Sequence, residues 1–212
     1  MTIQVMLVDD HAVVRTGYRR LIDAEPGMHV VADVATADEA CAAARDLTID
    51  VVVMDLSLRT GSGLDAIRRV LDRQPNVRVL VFSMHESIGY VNQALKNGAS
   101  GYITKNSEPS EMIAAIRGIS RGERVFSPEI SHALVLQAID GNDVMKILTP
   151  REFDVLRLFA SGTTLVGIAE QLHLSTKTVM NNISIIRRKL GVESEMELLL
   201  LAARHGLVQM PQ

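Results

Sequence analysis

The chain has 212 residues, of which 47% are hydrophobic and 22% charged, and a formal net charge of −3. That is the composition of an ordinary globular protein with room for one large domain or two small ones, and its charge gives no overall attraction to nucleic acid, so any DNA binding must come from a local basic surface. Cys41 is the single cysteine, which excludes an internal disulfide and a cysteine-based zinc cluster and fits a reducing compartment.

The N-terminus reaches Asp9-Asp10 before a signal-peptide apolar region can develop, and the longest apolar run, Leu198 to Ala203, is far too short to span a bilayer. The expectation is a cytoplasmic protein with no membrane partner. Over residues 1–121 short apolar runs alternate with longer amphipathic stretches. The runs Val5 to Val8, Val30 to Val34, Val51 to Met54, Val79 to Phe82 and Tyr102 to Ile103 predict strands, and 11–24, 36–46, 63–73, 87–97 and 110–121 predict helices. Five β-then-α units imply an α/β domain with a doubly wound, five-stranded parallel sheet covered by helices on both faces, which also explains why the middle runs are almost wholly apolar. Cys41, among Ala40, Ala42, Ala43 and Ala44, fits a helix face packed on that sheet better than a reactive thiol.

After Arg121 the pattern breaks. Gly122 to Pro128 reads as a loop, Glu129 to Ile139 as one helix and Gly141-Asn142-Asp143 as a turn. Residues 122–146 are thus expected to link two domains, 1–121 and 147–212. Thr149-Pro150-Arg151-Glu152 opens a new helix, with Thr149 as N-cap, Pro150 at the first helical position and Glu152 closing a capping box. Four helices follow: Pro150 to Ala160, Leu165 to Leu172, Thr176 to Leu190 and Glu195 to Arg204. They are bounded by Ser161-Gly162, the N-caps Thr164 and Ser175, the stop Gly191, and a second capping box of Ser194 with Glu197. This module is all-α.

In a doubly wound sheet, ligands bind beyond the carboxyl ends of the strands. Polar residues stand at those ends: Asp9 and Asp10 after the first, Asp55 after the third, Ser83 after the fourth and Lys105 after the fifth. Three carboxylates in one pocket repel one another unless a cation neutralises them, and an all-oxygen site open to water and phosphate suits Mg²⁺. Asp10 and Asp55 are expected as side-chain ligands. A carboxylate held there can attack a phosphoryl group while the cation and the Lys105 ammonium offset charge on the equatorial oxygens. Asp55 would become the acyl phosphate, with Ser83 hydrogen-bonded to one of its oxygens.

The stretches Val8-Asp9-Asp10-His11, Val53-Met54-Asp55-Leu56, Gly61-Ser62-Gly63-Leu64, Phe82-Ser83-Met84-His85 and Gly101-Tyr102-Ile103-Thr104-Lys105 occur in order. Over essentially all of 1–121 the chain thereby resembles the flavodoxin-like receiver domains of bacterial response regulators. The resemblance implies that Asp55 is phosphorylated by a sensor histidine kinase and that Asp9 and Asp10 serve Mg²⁺, with the backbone carbonyl of Ser57 completing the metal shell. It further implies that Ser83 and Tyr102 form a switch pair, the hydroxyl moving toward the phosphoryl group and the ring turning inward behind it. Two positions depart from the pattern: Arg59 stands where many relatives carry proline, and Asn106 where proline commonly follows the lysine.

Helix 165–172, the turn His173-Leu174-Ser175 and helix 176–190 read as a helix-turn-helix whose second helix would lie in the major groove. In that helix Val179, Ile183, Ile186 and Leu190 form the core stripe. Lys177, Asn181, Asn182, Ser184, Arg187, Arg188 and Lys189 remain for the outer face, where lysine, arginine and serine hold phosphates and asparagine reads an adenine edge. The run Arg187-Arg188-Lys189 also complements the helix dipole, so both roles are expected of it.

The motifs Leu148-Thr149-Pro150-Arg151-Glu152, Val155-Leu156, Ile168-Ala169, Leu174-Ser175-Thr176-Lys177-Thr178-Val179 and Arg188-Lys189-Leu190-Gly191-Val192 make residues 147–208 resemble the LuxR-type DNA-binding domain. The two-domain arrangement resembles NarL/FixJ-type regulators. Thr178 and Met180 join the expected DNA-contacting set through this resemblance. Met180 stands at a position often lysine and Asn182 at one often histidine, and Met180 either touches a thymine methyl or is simply exposed. The resemblance also implies double-stranded DNA with inverted-repeat sites as partner, RNA polymerase as a candidate partner, and a homodimer formed through the last helix. Its Leu198 to Leu201 run agrees, because four consecutive leucines cannot all face one internal core.

Other readings carry less. Phosphoaspartate hydrolases share the Asp nucleophile and the cation but place a second aspartate two residues on as general acid; here that position is Ser57. The protein is therefore expected not to be an enzyme. A nucleotide site resting on Gly61-Ser62-Gly63 lacks the full glycine fingerprint. Control of DNA binding by a partner or small ligand, with phosphorylation vestigial, is the remaining alternative.

Overall fold

The computed structural model describes residues 2–58, 60–140 and 144–207. Arg59 and the expected turn at Gly141-Asn142-Asp143 lie outside the described residues. The chain divides into two compact units, one of residues 1–86 and 94–132, the other of 87–93 and 133–212.

In the first unit, strands and helices alternate: β1 Ile3–Val8, α1 Ala12–Asp23, β2 Met28–Val34, α2 Ala37–Asp46, β3 Val51–Met54, α3 Gly63–Arg73, β4 Arg78–Ser83, β5 Gly101–Thr104 and α5 Pro109–Ser120; α4 Ile88–Lys96, between β4 and β5, is divided, its residues 88–93 belonging to the second unit. The sheet is parallel throughout and ordered β2-β1-β3-β4-β5-β6, the last strand being Val125–Phe126. The chain therefore moves to one side of β1 for β2 and to the other side for β3, which opens a crevice beyond the carboxyl ends of β1 and β3. β3 is buried at all four positions, as a strand covered on both faces must be. One core layer sets Val5, Leu7, Val53 and Phe82 of the sheet against Ile22 of α1 and Met112 and Ile116 of α5.

The sheet has six strands, not the five expected. The sixth, β6 Val125–Phe126, falls in the stretch read as a loop and pairs with Gly101 and Tyr102. Two residues are too few to show alternation, so this strand has no periodic signal. The expected linker helix is present as α6 Pro128–Asp140.

In the second unit a short 3-10 turn, Val144–Ile147, leads to α7 Pro150–Ala160, α8 Leu165–Gln171, α9 Thr176–Leu190 and α10 Glu195–Arg204. The Thr149–Glu152 capping box is complete: the Thr149 hydroxyl accepts from Glu152 N at 3.2 Å, and the Glu152 carboxylate accepts from Thr149 N at 2.8 Å. Thr164 and Ser175 cap α8 and α9 with their side chains, and Gly191 ends α9 at φ 67°. Ser194 caps α10 by accepting from Glu197 N at 3.1 Å, and the Glu197 carboxylate reaches back to accept from Glu193 N at 2.9 Å. Val179, Ile183 and Ile186 are the buried stripe of α9. In the same unit Gln93 donates its side-chain amide to the carbonyls of Met145 and Leu148, at 3.0 and 3.2 Å, and Tyr90 meets the Phe153 ring edge-on at 5.1 Å.

Gly63 sets how closely α3 approaches the end of β3. A Cβ there would lie 2.5 Å from Asp55 O and 2.6 Å from Leu56 Cα, and backbone atoms cannot yield as a flexible side chain does. Gly63→Ala is expected to destabilise the protein by about 1–3 kcal/mol, read from the denaturant midpoint; an unchanged midpoint would contradict this packing.

Candidate functional site

The crevice collects the residues expected at the strand ends. Asp9 N donates to Val34 O at 3.1 Å and Asp55 N to Val8 O at 2.8 Å, so both aspartates continue the sheet ladder for one more residue. Lys105 N donates to Ser83 O at 2.9 Å and carries the same extension to β4 and β5. The register thus brings residues from four separate strands to one rim.

At that rim Lys105 Nζ lies 2.6 Å from Asp9 Oδ2 and 2.6 Å from Asp55 Oδ2. Asp55 is buried, with its other oxygen, Oδ1, accepting from Ser57 N at 3.0 Å. Burial pushes the Asp55 carboxyl above the ordinary carboxylate range, and the Lys105 ammonium and the Ser57 amide offset only part of that push. Burial alone would lower Lys105, yet its bonds to Asp55 and Asp9 outweigh it and raise its pKa. The ammonium is retained. It sits 5.9 Å from the centre of the Phe82 ring, itself met edge-on by Tyr18.

Asp9, Asp10, His11 and Asp55 each offer a ligand atom, all within 4.8 Å of one another. Two of the three carboxylates share the Lys105 ammonium, and an oxygen-rich acidic set of this kind suits a hard divalent cation. His11 was not singled out from the sequence; its Nδ1 lies 3.1 Å from Asp9 Oδ1 and 2.8 Å from Asp10 Oδ1. Arg15 was not expected either. It donates to the carbonyl of Asp9 and holds the end of β1 from α1.

Ser83 is fully buried at the end of β4, and its hydroxyl accepts from His85 N at 3.3 Å. Tyr102 is fully buried too, its hydroxyl donating to His85 O at 2.6 Å. His85 therefore stands between the two expected switch residues, and its ring Nε2 is 2.9 Å from Ser57 Oγ. Sequence offers no link between positions 28 apart in the loops that follow β3 and β4. Asn106, where proline is common, donates its side-chain amide to Glu86 at 3.1 Å.

Of the residues expected on DNA, Lys177, Thr178, Met180, Asn181, Ser184, Arg188 and Lys189 are exposed on α9, and Asn182 and Arg187 are half-buried. Several also have local partners. Thr178 shares the cap with Ser175, Asn182 donates to Thr178 O at 2.8 Å, and Lys189 Nζ lies 2.7 Å from Glu152 Oε2. Lys189 therefore also ties α9 to the start of α7. On α10, Leu198 is buried while Met196 and Leu200, one turn apart, are exposed.

The family model described as response regulator receiver domain matches residues 5–117, and that described as bacterial regulatory proteins, luxR family, matches 146–202. The chain belongs to the response regulators. It is a two-component response regulator of NarL/FixJ type, with a receiver domain and a LuxR-type DNA-binding domain. The response regulator GacA of Pseudomonas viridiflava is 35% identical over 97% of this chain and 98% of its own. The oxygen regulatory protein NreC of Staphylococcus carnosus is 34% identical over 97% of this chain and 99% of its own. Among solved structures, RcsB from Salmonella enterica serovar Typhimurium, bound to promoter P1flhDC in the presence of phosphomimetic BeF3−, aligns with TM-score 0.73 and 26% identity over 96% of this chain and 100% of that one. A LuxR-family response regulator from Aurantimonas sp. SI85-9A1 shares 43% identity over 66% of this chain and 99% of that one, with TM-score 0.63. Among the described residues no helix is long and apolar enough to cross a membrane.

Burial alone would raise the Glu152 pKa, but the bonds from Lys189 and Thr149 outweigh it and hold the carboxyl below its ordinary range. A lowered folded-state pKa means stability that is present above the unfolded value, about 4.3, and lost as pH falls through the folded one. In melting curves of the full chain, Glu152→Gln is expected to cost stability at neutral pH and to flatten the loss between about pH 5 and pH 3. Parallel pH profiles for the two proteins would contradict the coupling.

Proposed function

We propose that Asp55 accepts a phosphoryl group from a sensor histidine kinase and that its phosphorylation controls sequence-specific DNA binding and transcription. The observation that carries this reading is the position of the Asp55 carboxylate: buried, with Lys105 Nζ 2.6 Å from one oxygen and the Ser57 amide 3.0 Å from the other. Mg²⁺ would be held by Asp9, Asp10 and Asp55 with the backbone carbonyl of Ser57, and its charge would offset that of the phosphoryl oxygens. Lys105 orients the acceptor and meets the same developing charge. The arriving group adds roughly −1.5 to −2 charge and three acceptor oxygens, to which Ser83 would donate its hydroxyl while Tyr102 packs behind.

Residues 1–121 would be the phosphorylated part, 122–146 the connection and 147–212 the DNA-binding part. Lys177, Thr178, Met180, Asn181, Asn182, Ser184, Arg187, Arg188 and Lys189 would face inverted-repeat DNA, with two chains paired through Met196 and Leu200 of α10. The exposure of those two side chains, at 65% and 44%, supports that pairing. The protein would act in the cytoplasm, with RNA polymerase as a further partner, and any loss of the phosphoryl group would serve signalling and not metabolism.

Asp55→Asn is expected to abolish labelling by a phosphodonor and to leave DNA affinity at fixed salt unresponsive to it. Undiminished labelling would sink the acceptor assignment; equal wild-type affinity with and without donor would sink the control. Lys177→Ala should weaken binding to every sequence and flatten the salt dependence by about one ion, whereas Asn181→Ala should mainly relax specificity. The reverse pattern would overturn the two roles.

A further inference from the structure

His11 occupies the N-cap position of α1, at φ −87° and ψ 102°, yet its side chain makes no cap bond. The ring turns back to the crevice instead. Its own amide donates to Asp9 Oδ1 at 2.8 Å, and ring Nδ1 lies 3.1 Å from that oxygen and 2.8 Å from Asp10 Oδ1. Lys105 takes the other oxygen of Asp9 and one of Asp55, so the imidazole stands beside the Asp9 oxygen that the ammonium leaves. One ligand atom from each of Asp9, Asp10, His11 and Asp55 falls within 4.8 Å of the rest, close to the span that two bonds of about 2.0–2.6 Å across one ion would cover.

From this geometry we infer that His11 is a direct ligand of the cation, through Nδ1, and that this nitrogen raises the preference of the site for a divalent first-row transition ion such as Mn²⁺ over Mg²⁺. The inference rests on the reading of Asp9, Asp10 and Asp55 as cation ligands and adds a fourth side chain of different chemistry. Mg²⁺ is small and hard and keeps water in place of nitrogen, whereas first-row transition ions bond imidazole well. Carboxylates serve both classes of ion, so the imidazole is the group in the set that discriminates. With no cation bound, Nδ1 beside two carboxylate oxygens carries the ring proton, because a lone pair there would repel them. As a ligand it offers that lone pair, and the proton stands on Nε2. The His11 side chain is 56% exposed, so water can carry the proton between the two nitrogens, and the ring stays neutral. A hydrogen bond alone would tie His11 to the acids with no contact to the ion, and the two roles give different spectra.

The probe is Mn²⁺ alone, added to unphosphorylated full-length protein. Pulsed electron paramagnetic resonance of the bound ion should show coupling to an imidazole nitrogen in the wild type and none in His11→Ala. In titrations at fixed salt and pH, His11→Ala should weaken Mn²⁺ about tenfold, as loss of a supporting group does at other metal sites, while Mg²⁺ changes by less than about twofold. His11→Gln keeps an N–H donor for the acids but brings no imidazole, and it should lose Mn²⁺ affinity as His11→Ala does. Wild-type protein that binds Mn²⁺ without nitrogen coupling, coupling that persists in His11→Ala, or full Mn²⁺ affinity in His11→Gln would each overturn the ligand role and leave the acidic cation site standing. Mn²⁺ binding that Asp10→Asn does not weaken would remove that site and this inference with it.

Discussion

The Lys105 ammonium between the carboxylates of Asp9 and Asp55 is the interaction on which the first unit's chemistry depends. An ammonium shared by two buried acids is stable only when the acids are held against their mutual repulsion, and here the sheet does the holding. The ladder bonds of Asp9 N to Val34 O and Asp55 N to Val8 O fix the two backbones before any side chain is placed. Arg15 braces the first of them and Gly63 lets α3 close on the second. The result is a carboxylate that is buried, oriented at both oxygens and still short of positive charge. That shortage is the one that the proposed divalent cation would fill, and with it the site would suit a phosphoryl group.

The second unit solves a different problem, which is to present a basic helix on a small core. Capping places the ends of α7, α8 and α9, and Lys189 links the end of α9 to the Glu152 carboxylate of the α7 capping box. One cation of the basic run thus works on the fold, while Lys177, Asn181 and Arg188 project from the exposed side. The left-handed turn at His173, φ 52°, sets the angle between α8 and α9 at a residue that is not glycine.

Much of this was legible in the sequence because it depends on period and punctuation. Apolar runs marked β1 to β5, and Thr149-Pro150-Arg151-Glu152 marked the start of α7 without ambiguity. The five rim residues were found by their place at strand ends. What escaped has a common physical cause. β6 is too short for a period, and the bonds of His85 to Ser57 and Tyr102 join elements whose proximity only the sheet order decides. The partners of Lys189 and Asn182 likewise depend on rotamers and helix packing, which residue type alone does not specify.

The most direct measurement locates the phosphoryl group chemically. Protein treated with a small phosphodonor and Mg²⁺ is reduced with borohydride, which converts an acyl phosphate to an alcohol, and the peptides are then mapped by mass. Reduction at Asp55 alone is expected, with Asp9 and Asp10 unchanged. Reduction at either of those two, or a phosphoryl group recovered on a serine or histidine instead, would contradict it.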